Sequence, residues 1–104
     1  MTKELFDLCT GYLQYFNEIR IKAKFCEDGP ISSRYRALSH ARALLERLVM
    51  PKDPKEPLER VVTMAEVEHE LAFVQGILLA TGDFTEEELR EHWKTKQVTK
   101  KVAA

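Results

Sequence analysis

The fold is decided by the stretch Met64-Ala65-Glu66-Val67-Glu68-His69-Glu70-Leu71-Ala72-Phe73-Val74-Gln75-Gly76-Ile77-Leu78. Its seam of apolar residues is spaced 3, 4, 3 and 4: Met64, Val67, Leu71, Val74 and Leu78. That spacing places side chains on one face of an α-helix. We predict a helix over 58–81 that ends at Gly82, a residue suited to a helix C-terminus. Ile77 and Leu79 make its last turn almost wholly apolar, so we expect that turn to be buried on several sides.

The same helical period extends to both sides of this stretch. A seam spaced 4, 3, 4, 3, 4 and 3 predicts a helix over 3–26: Leu5, Cys9, Tyr12, Phe16, Ile19, Ala23 and Cys26. Gly11 interrupts this helix, and a close contact at its backbone is one reason for a glycine there. A second set predicts a helix over 33–50: Tyr35, Leu38, Ala41, Leu45, Leu48 and Val49.

A fourth helix begins at a recognisable start signal. Thr85-Glu86-Glu87-Glu88 is a capping box, in which Thr85 caps the helix and Glu88 reaches back to it. Phe84 and Leu89 form the matching hydrophobic staple, and Leu89 and Trp93 share the face that docks.

These elements predict an all-α fold, a small helical bundle. The second and third helices form an antiparallel hairpin across the proline-rich connector 51–57, a packed N-terminal helix covers the hairpin, and a short C-terminal helix follows. We predict a single helical domain over 1–93 and a basic flexible tail over 94–104. Because a core of this size is marginal, we expect a homo-oligomer, a dimer or higher.

Composition excludes several classes of protein. The chain has 104 residues, 16 Lys plus Arg against 17 Asp plus Glu, and 44% apolar residues. It is long enough for one domain and too apolar for a disordered chain. No apolar run approaches the roughly 18 residues of a membrane span, so we expect no membrane partner and a cytoplasmic protein. Cys9 and Cys26 are expected to be reduced, buried thiols roughly 25 Å apart on one helix.

The near-neutral total hides a segregation of charge along the chain. Residues 31–57 carry six positive and three negative charges, residues 58–93 carry two positive and nine negative, and residues 94–104 carry four positive. The acidic side of the third and fourth helices is our first candidate site, a surface for a partner protein with a basic surface. Its residues are Glu66, Glu70, Glu87 and Glu91. The alternative is intramolecular complementarity between the basic and acidic helices.

The basic second helix carries the alternative candidate site. Arg36, His40 and Arg47 are spaced 4 and 7 and share one face, which in an oligomer could bind a phosphate-bearing ligand such as a cyclic nucleotide. Nucleic acid is a less favoured partner, because the acidic segment follows directly and this helix lacks interleaved aromatic residues.

No catalytic, metal or cofactor site is predicted. Glu66 and His69 have the Glu-x-x-His spacing of di-iron bundles, but a second such pair is missing from the sequence. His69-Glu70 begins like a zinc-protease motif, but Phe73 stands where the second histidine is needed. Neither cysteine has a histidine partner on its helix, so we expect a protein that is not an enzyme.

Two stretches carry a resemblance to a known class: His69-Glu70-Leu71-Ala72-Phe73-Val74-Gln75-Gly76-Ile77-Leu78 and Phe84-Thr85-Glu86-Glu87-Glu88-Leu89-Arg90. They resemble small helical accessory proteins of tailed bacteriophages, of the anti-defence or host-takeover type. The resemblance covers about a quarter of the chain. It implies a non-catalytic inhibitor that binds a host protein in the host cytoplasm. A subset of that class sequesters cyclic nucleotide signals as oligomers.

Overall fold

Four helices make up the part of the chain that the computed structural model describes, residues 2–23, 33–49 and 63–98. They are α1 Lys3–Glu18, α2 Ser33–Val49, α3 Met64–Ala80 and α4 Glu86–Thr95. Those three ranges contain no β-strand, which confirms the predicted all-α bundle. The proline connector, Phe25, Cys26 and residues 58–62 of the predicted third helix lie outside the described residues.

The helices α2 and α3 form the predicted antiparallel hairpin. Arg34, near the start of α2, bonds to Asp83 just after α3, and His40 further along α2 packs edge-on against Phe73 within α3. Later residues of α2 therefore contact earlier residues of α3, so the two helices are antiparallel. Helix α1 packs against α2, and Arg42 of α2 donates to the carbonyl of Ile21 that follows α1.

The core lies where the apolar seams of α1, α2 and α3 meet. Its fully buried members are Leu8, Cys9, Tyr12, Phe16, Leu38, Ala41, Leu45, Val67, Leu71, Val74 and Leu78. The prediction for the last turn of α3 was wrong, because the side chain of Leu79 is 47% exposed. Leu79 points away from the core seam toward α4, and α4 covers that flank of α3 only partly.

No helix of the described ranges is both long and apolar enough to cross a lipid bilayer.

Helix α1 ends eight residues before the predicted boundary at Cys26. Arg20 adopts a left-handed conformation with φ of 61°. The amide of Ile21 then donates to the carbonyl of Phe16 over 2.9 Å, and the Ile21 side chain is buried. This is a Schellman ending with an apolar residue closing it. Of the seam predicted past Glu18, Ile19 caps the helix and Ala23 lies beyond it, whereas Ile21, which the seam did not include, joins the core from outside the helix.

The fourth helix begins as predicted and extends further than predicted. The Thr85 hydroxyl accepts the amide of Glu88, and the Glu88 carboxylate accepts the amide of Thr85. Helix α4 continues to Thr95, and Val98 packs against the core. A Cβ atom built on Gly11 would stand 2.8 Å from Cγ2 of Val98, the close contact suggested for that glycine. These residues fall inside the predicted tail 94–104, of which residues 99–104 lie outside the described ranges.

Candidate functional site

A buried carboxylate joins three parts of the chain. Asp83 accepts hydrogen bonds from the Tyr15 hydroxyl at 2.6 Å, from Arg34 Nη2 at 2.5 Å and from the Thr81 hydroxyl at 2.6 Å. Burial by itself raises the pKa of Asp83, but the hydrogen bonds from Arg34, Thr81 and Tyr15 outweigh it, so the pKa lies below its usual value. Asp83 is therefore ionised at neutral pH and fixes the turn between α3 and α4.

A second buried group links α1 to α3 and α4. The amide nitrogen of Gln75 lies 3.1 Å from the carbonyl of Leu89 and 3.0 Å from the hydroxyl oxygen of Tyr12. Because the Leu89 carbonyl can only accept, Gln75 donates to both. The Tyr12 hydroxyl also forms a hydrogen bond with Nδ1 of His92, 3.0 Å away. Burial raises the pKa of the Tyr12 hydroxyl, which stays protonated.

These buried polar groups hold the fold together. Within the described residues, every buried side-chain nitrogen and oxygen has a hydrogen-bond partner. Burial also raises the pKa of the Cys9 thiol to about 11, so it is protonated and a poor nucleophile at neutral pH. These buried groups are therefore structural, and the candidate site lies at the surface.

The surface between α3 and α4 forms an open groove with a volume of about 800 Å³. Its floor and walls are mostly apolar: Ala65, Ala72, Gly76 and Leu79 from α3, and Leu89 and Trp93 from α4. The ammonium group of Lys96 lies 4.1 Å from the centre of the Trp93 ring and helps to hold that ring in place. The groove follows α3 from Ala65 to Leu79, which is about 21 Å at 1.5 Å per residue.

Small residues keep the groove open along α3. A Cβ atom added at Gly76 would meet no described atom within 4 Å, so the fold of the chain gives no packing reason for a glycine at this position. A glycine inside a helix is less stable than alanine by about 1 kcal/mol. Gly76 therefore lowers the stability of α3 and leaves free space at the groove.

Polar residues stand at the rim of the groove. Glu68 and His69 line it from α3, and Glu86 and Arg90 line it from α4. Glu86 and Arg90 form an exposed ion pair one helical turn apart, at 2.7 Å. Such an exposed pair contributes little to stability and can exchange partners readily.

The predicted acidic residues lie on the surface of α3 and α4, outside this groove. Glu66, Glu87 and Glu91 are exposed and Glu70 is half-buried. Among the described residues, their carboxylates form no ion pair or hydrogen bond, so none is neutralised by the basic face of α2. Glu66 and Glu70 share the flank of α3 that carries Phe73, and the groove lies on the opposite flank.

The residues of the phosphate hypothesis do not converge within one chain. Arg36, His40 and Arg47 are exposed along α2, and Arg36 lies eleven residues from Arg47, which is about 16 Å. The His40 ring packs edge-on against Phe73 with 6.0 Å between ring centres. A single phosphate is too small to contact all three side chains, so the hypothesis still requires a second copy.

The residues considered for a metal site are separated. His69 lines the groove, whereas Glu66 lies on the other flank of α3. Over residues 2–23, 33–49 and 63–98, no three side chains of the metal-binding types cluster closely enough to hold a metal ion.

Sequence reasoning missed the groove, because it depends on how α4 crosses α3. The available signal was a helical stripe of small residues, Ala65, Ala72 and Gly76, on the flank of α3 opposite the acidic pair Glu66 and Glu70. A search of known protein families, of curated proteins and of solved structures found no match to this chain.

Proposed function

We propose that this protein is a non-catalytic interaction module that binds another protein carrying a basic surface. The acidic side of α3 and α4 is the contact surface, with Glu66, Glu70, Glu87 and Glu91 as its charged residues. The observation that carries the proposal is that these four carboxylates have no intramolecular partner among the described residues. Unpaired surface charge of one sign steers a partner of opposite charge and fixes its orientation.

The charge of the surrounding surface supports the same proposal. Residues 63–98 contain eight acidic and three basic side chains, and of the acidic ones only Asp83 is buried. A basic partner therefore meets a surface with a clear excess of negative charge, at which nucleic acid would be repelled.

The nature of the partner follows from the resemblance to phage accessory proteins. We propose a host protein in the bacterial cytoplasm, whose activity is inhibited or modulated when this chain binds it. A homo-oligomer is proposed as well. Phe6, Met64 and Phe73 are 43%, 44% and 50% exposed and lie outside the groove, so they are the apolar side chains a second copy would cover.

The test is affinity capture from a bacterial lysate, followed by native mass measurement of the captured complex. Three chains are compared: the wild type, Glu66→Lys with Glu70→Lys, and Glu87→Lys with Glu91→Lys. We expect one protein to be retained by the wild type, to be released as salt rises from 50 to about 300 mM, and to be lost from at least one charge-reversed chain.

The matched control is the pair Asp7→Lys and Glu18→Lys on α1, which changes the net charge by the same amount at exposed positions outside α3 and α4. Retention of the partner by this control and its loss from a reversed chain would support the acidic surface. Equal retention by all four chains would overturn the proposal. Thermal unfolding of each chain confirms that a loss of binding is not a loss of fold.

A further inference from the structure

The groove between α3 and α4 has a shape suited to a helix. It runs about 21 Å along α3, a length that corresponds to about four helical turns. The side chains that α3 presents there, Ala65, Ala72 and Gly76, are small. The axis of a second helix can therefore approach the axis of α3 to the 8–10 Å distance of packed helices. Leu89 and Trp93 form the opposite wall and offer apolar contact to the same occupant.

The charges at the rim determine which helix fits. Glu68 stands on the α3 wall in the N-terminal half of that helix, and Glu86 stands at the start of α4, next to the C-terminal end of α3. Carboxylates therefore lie toward both ends of an apolar floor; Glu86 is paired with Arg90 of the same rim, and such an exposed ion pair can exchange partners. A helix with Lys or Arg at both ends and an apolar stripe between them is complementary to this arrangement.

The basic helix of a second copy does not supply such an occupant. Helix α2 cannot enter the groove of another copy, because its apolar residues Leu38, Ala41 and Leu45 are buried in its own core.

We infer that the groove between α3 and α4 binds a basic amphipathic helix of the partner protein. This inference rests on the proposed function, because the occupant is a helix of the same partner protein, with its apolar side chains in the groove and its basic residues at Glu68 and Glu86. Gly76 is the specificity-determining position, since any larger side chain there fills the space into which the helix packs.

The experiment measures binding of labelled synthetic peptides by fluorescence anisotropy. The first peptide is a 16-residue alanine-based helix with leucines at i, i+4, i+7 and i+11 and two lysines at each end. The second has glutamates in place of the lysines, and the third has the composition of the first in scrambled order. We expect the first to bind at least tenfold more tightly than either of the others.

Variants of the protein locate the site. Gly76→Leu and Ala72→Leu fill the groove from α3, and both positions face open space or solvent, so the fold is retained. Ala80→Leu adds the same side chain to an exposed position of α3 that does not line the groove. We expect binding of the first peptide to weaken at least tenfold in the two groove variants and less than twofold in Ala80→Leu.

Several results would overturn the inference: no binding of the first peptide at millimolar concentration, equal binding of the scrambled or glutamate peptide, or binding unchanged by Gly76→Leu. A native dimer that Gly76→Leu converts to monomer would also overturn it, since a second copy would then occupy the groove. If the captured partner is lost from the charge-reversed chains but kept by Gly76→Leu, the groove inference fails and the proposed function stands. If no chain loses it, both fail.

Discussion

At the scale of single residues, the described structure depends on two buried polar groups that connect distant parts of the chain. Tyr15 and Asp83 are 68 positions apart and Tyr12 and His92 are 80 apart, yet each pair is hydrogen-bonded. A buried polar atom that loses its partner destabilises the fold by about 1–3 kcal/mol. The conformation of the turn before α4, and hence the wall of the groove, is therefore sensitive to these few side chains.

Asp83 makes stability depend on pH in the acid range. Its pKa in the folded protein lies below the value of about 4 for an unfolded aspartate, so the folded state favours the ionised form. The resulting stabilisation is fully present above pH 4 and is lost as the pH falls below it. We expect Asp83→Asn to lower the free energy of unfolding by about 2–3 kcal/mol at pH 7 and by less at pH 3.

Urea unfolding at the two pH values measures this difference. The control is Glu91→Gln on the exposed side of α4, which should change stability by less than about 0.5 kcal/mol at pH 7. A destabilisation by Asp83→Asn that is the same at pH 7 and pH 3 would contradict the assigned role.

A substitution of Tyr12 tests the second buried group, the hydrogen bonds that join Tyr12, Gln75 and His92. Tyr12→Phe keeps the ring but removes the hydroxyl, and with it the hydrogen bonds to Gln75 and to Nδ1 of His92. We expect a loss of about 1–3 kcal/mol in the free energy of unfolding. The same change in a Gln75→Leu background should be smaller, because one of the two groups is already absent. Equal losses in both backgrounds would mean that Tyr12 and Gln75 are not coupled by a hydrogen bond.

At the scale of helices, the sequence predicted what is local and missed what depends on packing. The capping box at Thr85 and the core seam of α3 from Val67 to Leu78 were correct, because each is determined by residues within a turn or along one face. Met64, predicted as the first residue of that seam, is instead 44% exposed. The end of α1 was wrong because the left-handed residue is Arg20 rather than a glycine, so no local stop signal was visible. The burial of His92 was missed because its partner lies in α1. The acidic residues of the candidate site were predicted from charge alone, whereas a prediction of the groove would have required the position of α4.

At the C-terminal end of α1, one substitution is expected to make the folded protein more stable. Arg20 has a φ of 61° and is exposed, so its side chain adds strain without a compensating buried contact. Glycine adopts this conformation freely, and Arg20→Gly should raise the free energy of unfolding by about 0.5–1 kcal/mol. Lys22→Gly, an exposed neighbour with no positive φ, is the control and should lower it. Chemical denaturation of both chains decides the matter; destabilisation by Arg20→Gly would refute the assignment.

At the scale of the whole molecule, the residues just before and just after α4 both contact α1, and these contacts fix the position of α4. Phe84, just before α4, packs against Tyr15 with 4.7 Å between ring centres, and Val98, just after it, packs at Gly11. Helix α4 therefore has an anchor at each end. Because α4 forms one wall of the groove, changes on α1 can alter the width of a site that α1 does not line.

The anchor at Gly11 can be tested by a double-mutant cycle. Gly11→Ala improves helix propensity by about 1 kcal/mol, but its new Cβ atom meets Cγ2 of Val98 at 2.8 Å. We expect Gly11→Ala to be neutral or destabilising in the wild type and stabilising by about 0.5–1 kcal/mol together with Val98→Ala. Thermal or urea unfolding of the four chains gives the coupling energy. Additive effects would mean that the two residues do not touch in solution.

The burial of Cys9 provides a way to measure transient opening of the fold, and the binding of a partner, without a fluorescent label. The chain has two cysteines, so a Cys26→Ser variant carries a single thiol, and that thiol is fully buried against the core. An alkylating reagent reaches it only in the fraction of molecules that are transiently open. Any ligand that binds the closed form slows the alkylation by the same factor by which it shifts the opening equilibrium. The rate of a simple chemical reaction at one sulfur atom then measures how tightly a partner is held on the other side of the molecule.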